Sequence, residues 1–293
     1  RVLVNPLNSR TRVALTLGMA PGITQVEFIR EWRRRVKAME FIPPMIVDGK
    51  ELVLSMGNDA PPAVLSLLPK PLHWYFAQRF AQVTNPPIDS LREAIVMSLV
   101  MYLGRRQSWL QETADHTKLI KLRSPFLTAG DLAVLEQLDN PAFRTERIGC
   151  VMRTSAGAQG FDAALTRICQ QAEAAVRSGA AVLILSDRGQ DRHLVAVPML
   201  LVVGAVHHHL IQHGLRLQTG IVAETGAMFD VHTFATLIGF GAEAVHPYLA
   251  WDTVRQMVAT GKIRDVTEAD ALAAFQKALE VGLLKVIAKM GVS

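Results

Sequence analysis

A chain of 293 residues that is 50% hydrophobic and 19% charged can bury a large core, as one large α/β domain or two ordinary ones, and is not wholesale disordered. Its formal net charge of +5 is modest for this length. There is no signal peptide and no uninterrupted apolar run of the roughly 18–20 residues that a membrane span needs, so neither nucleic acid nor membrane is an expected partner.

Residues 1–45 read as a leader: a short extended piece, a Gly/Pro turn at 20–22, and a basic helix over 24–41 that contains Arg33, Arg34 and Arg35. Such a helix serves as a solvated face or as a dock for an acidic neighbour. The chain starts at Arg1 and stops after "GLLKVIAKMGVS", and both ends read as cuts through a longer polypeptide. "PLHWYFAQRFAQV" (71–83) and "LREAIVMSLVMYLG" (91–104) read as helices, which makes the N-terminal part mostly helical.

From about residue 120 a strand–helix rhythm begins. "LIKLRSPFL" (119–127) reads as a strand, and "TAGDLAVLEQL" (128–138) as a helix capped by Thr128. "ERIGCVMR" (146–153) is the next strand, followed by a helix that ends at Gly179. "AAVLILSDR" (180–188) is the continuous, branched apolar run of a parallel strand covered on both faces. A helix over 198–213, a strand "GIVAET" (220–225), a helix "VHTFATLIGFG" (231–241) and a strand "AEAVHPYL" (242–249) follow, before the C-terminal helices. Regular alternation with short links predicts an α/β fold of parallel β/α units with barrel-like closure.

Functional groups on such units sit just past the C-terminal ends of the strands. Here those positions are Asp187, Arg188, Glu224 and His246. Converging on one rim, they could bind a small anionic acid or run proton transfer. Alternatively Asp187 and Glu224 form ion pairs with Arg188 or Arg216 that only tie the loops together. Cys150 and Cys169, the two cysteines, make no CxxC motif and are too few for an iron–sulfur cluster or a zinc site. They read as buried free thiols in a reducing compartment.

The run His207, His208, His209, with His213 beyond it, falls near the end of a helix. Consecutive helical residues point about 100° apart, so the three cannot face one ion. His209 and His213 share a face, but no HExxH pattern accompanies them. The expectation is hydrogen bonding between elements and C-terminal capping, with no metal. No glycine loop has phosphate-binding form, and no complete catalytic set is present.

"SMGNDAPPAVLS" (55–66), "FAQVTNPPIDSLREAIVMSL" (80–99), "ILSDRG" (184–189), "PMLLVVGAVHHHLIQHGLR" (198–216), "ETG" (224–226) and "HTFATLIGFGAEAVHPYLA" (232–250) together resemble the central domain of the glutamate synthase large subunit. The resemblance implies a degenerate TIM-barrel-like domain over 46–282, with 283–293 opening the junction to an FMN-binding domain. It implies an enzyme that takes the amide nitrogen of glutamine, passes it on as ammonia, and reductively aminates 2-oxoglutarate. FMN and an iron–sulfur cluster belong to other parts of that enzyme, as does the glutaminase nucleophile, so this chain is expected to bind no cofactor. Its implied partners are the glutaminase and FMN-binding domains of the same polypeptide and ammonia in transit. Its implied place is the cytoplasm or a plastid.

Two loops are the expected interface or ammonia-path elements. One is Ser55, Met56, Gly57, Asn58 and Asp59. The other holds Asn85, Asp89, Arg92 and Glu93, where Pro86 and Pro87 stiffen the backbone and Asp89 can cap the following helix. The chain departs from the family pattern at Thr233, where a second histidine is usual, and at Ser90, where proline is.

Overall fold

The computed structural model describes residues 42–51, 72–76, 97–108, 110–157 and 159–290. A four-stranded parallel sheet forms its centre: β3 (Thr145–Gly149), β5 (Val182–Ser186), β7 (Gly220–Glu224) and β8 (Ala244–His246), side by side in that order. Helices α2 (Gln159–Arg177), α3 (Met199–Gln212) and α4 (Val231–Gly239) make the crossovers between these strands. Two antiparallel pairs flank the sheet: β1 (Met101–Leu103) with β2 (Ile120–Leu122), and β4 (Val151–Arg153) with β6 (Leu194–Ala196). Further helices are α1 (Ala129–Gln137), α5 (Tyr248–Ala259) and α6 (Glu268–Met290).

Every residue of β5 and β7 is buried, so the sheet is covered on both sides, as a parallel sheet must be. Ile148, Leu183, Leu185, Ile221, Ala223 and Val245 face the large core under the crossover helices. Val182, Ile184, Val222 and Ala244 face a smaller cluster with Leu103, Leu127, Leu132 and Leu135, which belong to β1, α1 and the turn before it. Helix α2 supplies its share through an apolar stripe at Ala164, Ile168, Ala172 and Ala175. It stops where Gly179 takes φ 98°, a conformation glycine adopts freely.

Beyond β8 the segment around Phe126 adds one more parallel rung: Leu127 N–H donates to the Val245 carbonyl at 2.9 Å and Val245 N–H to that of Pro125 at 2.7 Å. Phe126 is also the hub of an aromatic cluster, with ring centroids 4.9 Å from Trp251, 5.6 Å from Phe234 and 6.2 Å from Phe275. Thr128 then starts α1 with a capping box: its Oγ1 accepts from Asp131 N–H at 3.2 Å, and its own N–H donates to the Asp131 carboxylate at 2.8 Å. No helix among the described residues is long and apolar enough to cross a membrane.

Three local expectations change. "LREAIVMSLVMYLG" does not end as helix, because Met101–Leu103 pairs with β2 and buries Leu103 while Tyr102 faces out. "ERIGCVMR" is two strands in two sheets, parted at Cys150, whose N–H donates to Ser186 O at 2.7 Å and whose carbonyl accepts from Val197 N–H at 2.9 Å. "AEAVHPYL" is strand only to His246: Pro247, with no N–H to give a ladder, caps α5. Cys150 and Cys169 are buried and unbridged, and burial pushes the Cys150 thiol up to about 12.

Phe126→Ala empties the centre of the aromatic cluster and loosens the fifth rung. A loss of about 3–5 kcal/mol is expected, read as a lower midpoint in denaturant melts.

Candidate functional site

The register of the parallel sheet decides which strand-end side chains can meet. Gly149 aligns with Ser186, Ser186 with Glu224, and Glu224 with His246, so these positions share one face. Arg147 lies two residues before Gly149, on that same face, aligned with Ile184. The face is that of the smaller cluster, and its C-terminal edge is where the polar groups gather.

Glu224 is the centre of the group, with 1% of its surface exposed. One carboxylate oxygen accepts from Ser186 Oγ at 2.5 Å and is in contact with Arg147 Nη1. The other accepts from Arg188 Nε at 2.5 Å. Arg147 also donates to Ser186 Oγ at 3.1 Å and, through Nε, to Glu136 of α1 at 2.8 Å. The Arg188 guanidinium lies 4.0 Å over the ring of Tyr248, a cation–π contact. Burial by itself would raise the Glu224 carboxyl, but the Ser186 hydroxyl, Arg188 and Arg147 more than offset it, holding it below the usual carboxylate range.

His246 is buried beside this group. Its Nδ1 lies 2.9 Å from the Leu127 carbonyl, which also accepts from Trp251 Nε1 at 3.1 Å. A carbonyl only accepts, so the proton sits on Nδ1. Burial lowers the imidazole's affinity for a second proton, against the pull of that carbonyl and of Glu224. The ring is held as a neutral imidazole.

Of the four expected rim residues, Arg188, Glu224 and His246 come together on one face. Asp187 turns away from them. Its carboxylate accepts from Thr225 Oγ1 at 2.7 Å and from Gly226 N–H at 3.0 Å, tying the loop after β5 to the loop after β7. Arg216 belongs to the opposite edge of the sheet. There it donates to His207 Nδ1 at 3.0 Å, to the Thr219 carbonyl at 2.8 Å and to Glu243 at 3.1 Å. Glu243 stays above the usual carboxylate range, chiefly through burial, and one of its oxygens has no hydrogen-bond partner among the described groups.

Sequence reasoning missed Arg147, Ser186 and Tyr248. One signal was present for Arg147: it lies an even number of residues before Gly149 and so shares the face of the strand-end groups, although its partner depends on register. Ser55, Met56, Gly57, Asn58, Asp59, Asn85, Asp89, Arg92 and Glu93 all lie outside the described residues, as does the basic helix of 24–41.

His207, His208 and His209 do diverge. His207 accepts from Arg216, while His209 Nε2 lies 2.8 Å from Glu173 of α2. His213 caps α3, its Nδ1 2.8 Å from the His209 carbonyl.

These pKa directions set the acid behaviour. Glu224 sits below its unfolded value near 4.5 and His246 below its value near 6.5. Each therefore contributes stability that is present above the unfolded pKa and is lost as pH falls through the folded one. Melting temperature is expected to fall in two stages on acidification, below about pH 6.5 and again below about pH 4.5. Glu224→Gln shrinks the lower stage, to which Glu51, Asp115, Glu173 and Asp191, also held below the usual carboxylate range, contribute the rest. Glu224→Ala, which strands two half-exposed arginines, costs about 2–3 kcal/mol at neutral pH, measured by thermal melts across pH.

The family described as "Glutamate synthase central domain" matches residues 33–293. The ferredoxin-dependent glutamate synthase of Spinacia oleracea chloroplasts is 44% identical over 264 residues, which are 86% of this chain and 16% of that protein. The NADH glutamate synthase of Schizosaccharomyces pombe is 41% identical over 253 residues, 85% of this chain and 12% of that one. The large chain of the Bacillus subtilis NADPH enzyme is 39% identical over 254 residues, 87% and 16% respectively. The chain thus spans less than a fifth of the length of each of these relatives, and by the match over residues 33–293 it belongs to the glutamate synthase central-domain family.

Proposed function

We propose that this domain does no chemistry of its own and serves as the scaffold between the glutaminase and FMN-binding parts of a glutamate synthase, where it helps wall the path of ammonia. The observation that carries the reading is the rim. The carboxylates of Glu224 and Asp187 are already engaged by Ser186, Arg147, Arg188, Thr225 and Gly226, and the Nδ1 proton of His246 is directed at Leu127. A general base must offer a lone pair to substrate; Glu224 and Asp187 engage their carboxylate oxygens inside the fold, and the His246 ring is buried with 1% of its surface exposed. An enzyme acting on a small acid at Asp187, Glu224 and His246 is therefore the weaker reading.

The relatives add a second support. Their names carry three different electron donors, ferredoxin, NADH and NADPH, yet their identity to this chain varies only between 39% and 44%. A domain that chose the donor would diverge more among them. In this reading FMN, the iron–sulfur cluster and the donor site belong to other parts of the polypeptide, and the setting is cytoplasm or plastid. The fifth rung at Phe126 supports reading the β/α units as a degenerate TIM-barrel-like body. In the same scheme residues 1–45 lead in, 46–282 form the domain, and 283–293 begin the junction, the last of these boundaries falling within α6. Ser55–Asp59 and Asn85, Asp89, Arg92 and Glu93 line the interface or the ammonia path.

Two measurements test this. The purified chain, given 2-oxoglutarate, ammonia and an artificial reductant, should form no glutamate, show no flavin absorbance and melt cooperatively; turnover or bound flavin would sink the scaffold reading. In the complete polypeptide, Arg92→Ala should cut glutamine-dependent glutamate formation several-fold while leaving ammonia-dependent formation nearly unchanged. An equal loss in both assays would remove this loop from the ammonia path.

A further inference from the structure

Outside the rim, the described residues contain one cluster of potential metal ligands: Glu173, His209 and His213, whose donor atoms all lie within 4.8 Å of one another. We propose that Glu173 of α2 and His209 and His213 at the end of α3 form a binding site for a borderline divalent transition ion, zinc being the representative. The site is independent of the scaffold reading, and it departs from the expectation that the histidine run is purely structural.

The geometry is close to what an ion requires. His209 and His213 are four residues apart, and their rings lie 4.2 Å apart at 35°, so one helical turn places both imidazoles on one side. His213 Nδ1 lies 2.8 Å from the His209 carbonyl. That carbonyl can only accept, so Nδ1 carries the proton and the lone pair sits on Nε2, on the side of Glu173. A hydrogen bond to one ring nitrogen that fixes the tautomer and aims the other is how metal-binding histidines are oriented. Glu173 Oε2 lies 2.8 Å from His209 Nε2 and 3.7 Å from His213 Nε2. Ligand atoms about 2.0–2.1 Å from a tetrahedral ion stand roughly 3.3 Å from each other. The two Glu173 separations bracket that value, and all three donor atoms lie within 4.8 Å of one another, so side-chain rotations suffice to bring them onto one ion.

The neighbours suit this role. Arg177 holds the other oxygen of Glu173 at 2.8 Å, which turns Oε2 toward the imidazoles. The Arg177 side chain is 55% exposed, so water screens much of its repulsion of a cation. His207 is taken by Arg216, and His208 lies about a third of a turn from His209. Two nitrogens and one carboxylate oxygen select zinc, cobalt, nickel or copper over calcium or magnesium. Three protein ligands leave a fourth position for water or an added ligand, and a cavity of about 290 Å³ lined by His209 and Cys169 adjoins it. When the ion binds, the proton of His209 moves from Nε2, where it is shared with Glu173, to Nδ1, and the ion takes its place, clamping α2 to α3 where that hydrogen bond now joins them.

The test is calorimetric titration of the chelator-treated chain with zinc, repeated with cobalt, whose visible spectrum reports nitrogen and oxygen ligation. One ion per chain is expected. His213→Ala and Glu173→Gln should each weaken binding at least tenfold and abolish the cobalt bands, while His208→Ala should leave both unchanged. Zinc should raise the melting temperature of the wild-type chain but not of the Glu173→Gln variant. His213 and Glu173 lie at the surface, and melts without metal confirm that their variants fold. Absence of binding, or binding of equal strength in the His213→Ala and Glu173→Gln variants, would overturn the site.

Discussion

All ten residues of β5 and β7 are buried, and that requirement for cover on two faces organises everything else. Parallel strands cannot be joined by hairpins, so each link is a crossover helix, and the crossovers stack as α2, α3 and α4 on one side. The other face is shielded by different means. Helix α1, the Phe126 segment and the β1–β2 pair bring Leu103, Leu127, Leu132 and Leu135 against Val182, Ile184, Val222 and Ala244. This second cover is small, and the strand-end polar groups collect at its border.

There the chain resolves a local conflict. Glu224 is almost fully removed from water. Alone it would carry a large desolvation cost, and it is tolerated because Arg147, about a third exposed on the edge strand β3, the Ser186 hydroxyl and Arg188 are all in contact with it. The result is a stitch across β3, β5 and β7. Asp187 makes a second stitch, from the loop after β5 to that after β7. Together the two stitches tie the C-terminal ends of three neighbouring strands to one another.

The histidine run shows how one stretch of helix serves two borders. His207 faces Arg216 and Gly241, at the lower edge of the sheet, where a side chain on Gly241 would collide with its ring. Two residues further on, His209 faces α2, and His213, about one turn beyond His209, faces the same helix. The helical rotation of about 100° per residue produces this division.

Much of the architecture was legible in the residues themselves. The apolar runs at 182–186 and 220–224, the capping box at Thr128 and the glycine stop at 179 carry local physics that needs no distant partner. The strand–helix alternation they produce implies parallel pairing, and the quoted motifs carry the family. What only the tertiary structure decided were pairings across long separations. Arg147 meets Glu224 across 77 residues, and Glu173 meets His209 across 36. Met101–Leu103 becomes a strand because β2 lies beside it, and Asp187 leaves the rim because its side chain falls on the opposite face from Glu224. Periodicity says which way a side chain points along its own element; register and crossover packing decide what it finds there, and that depends on the whole chain at once.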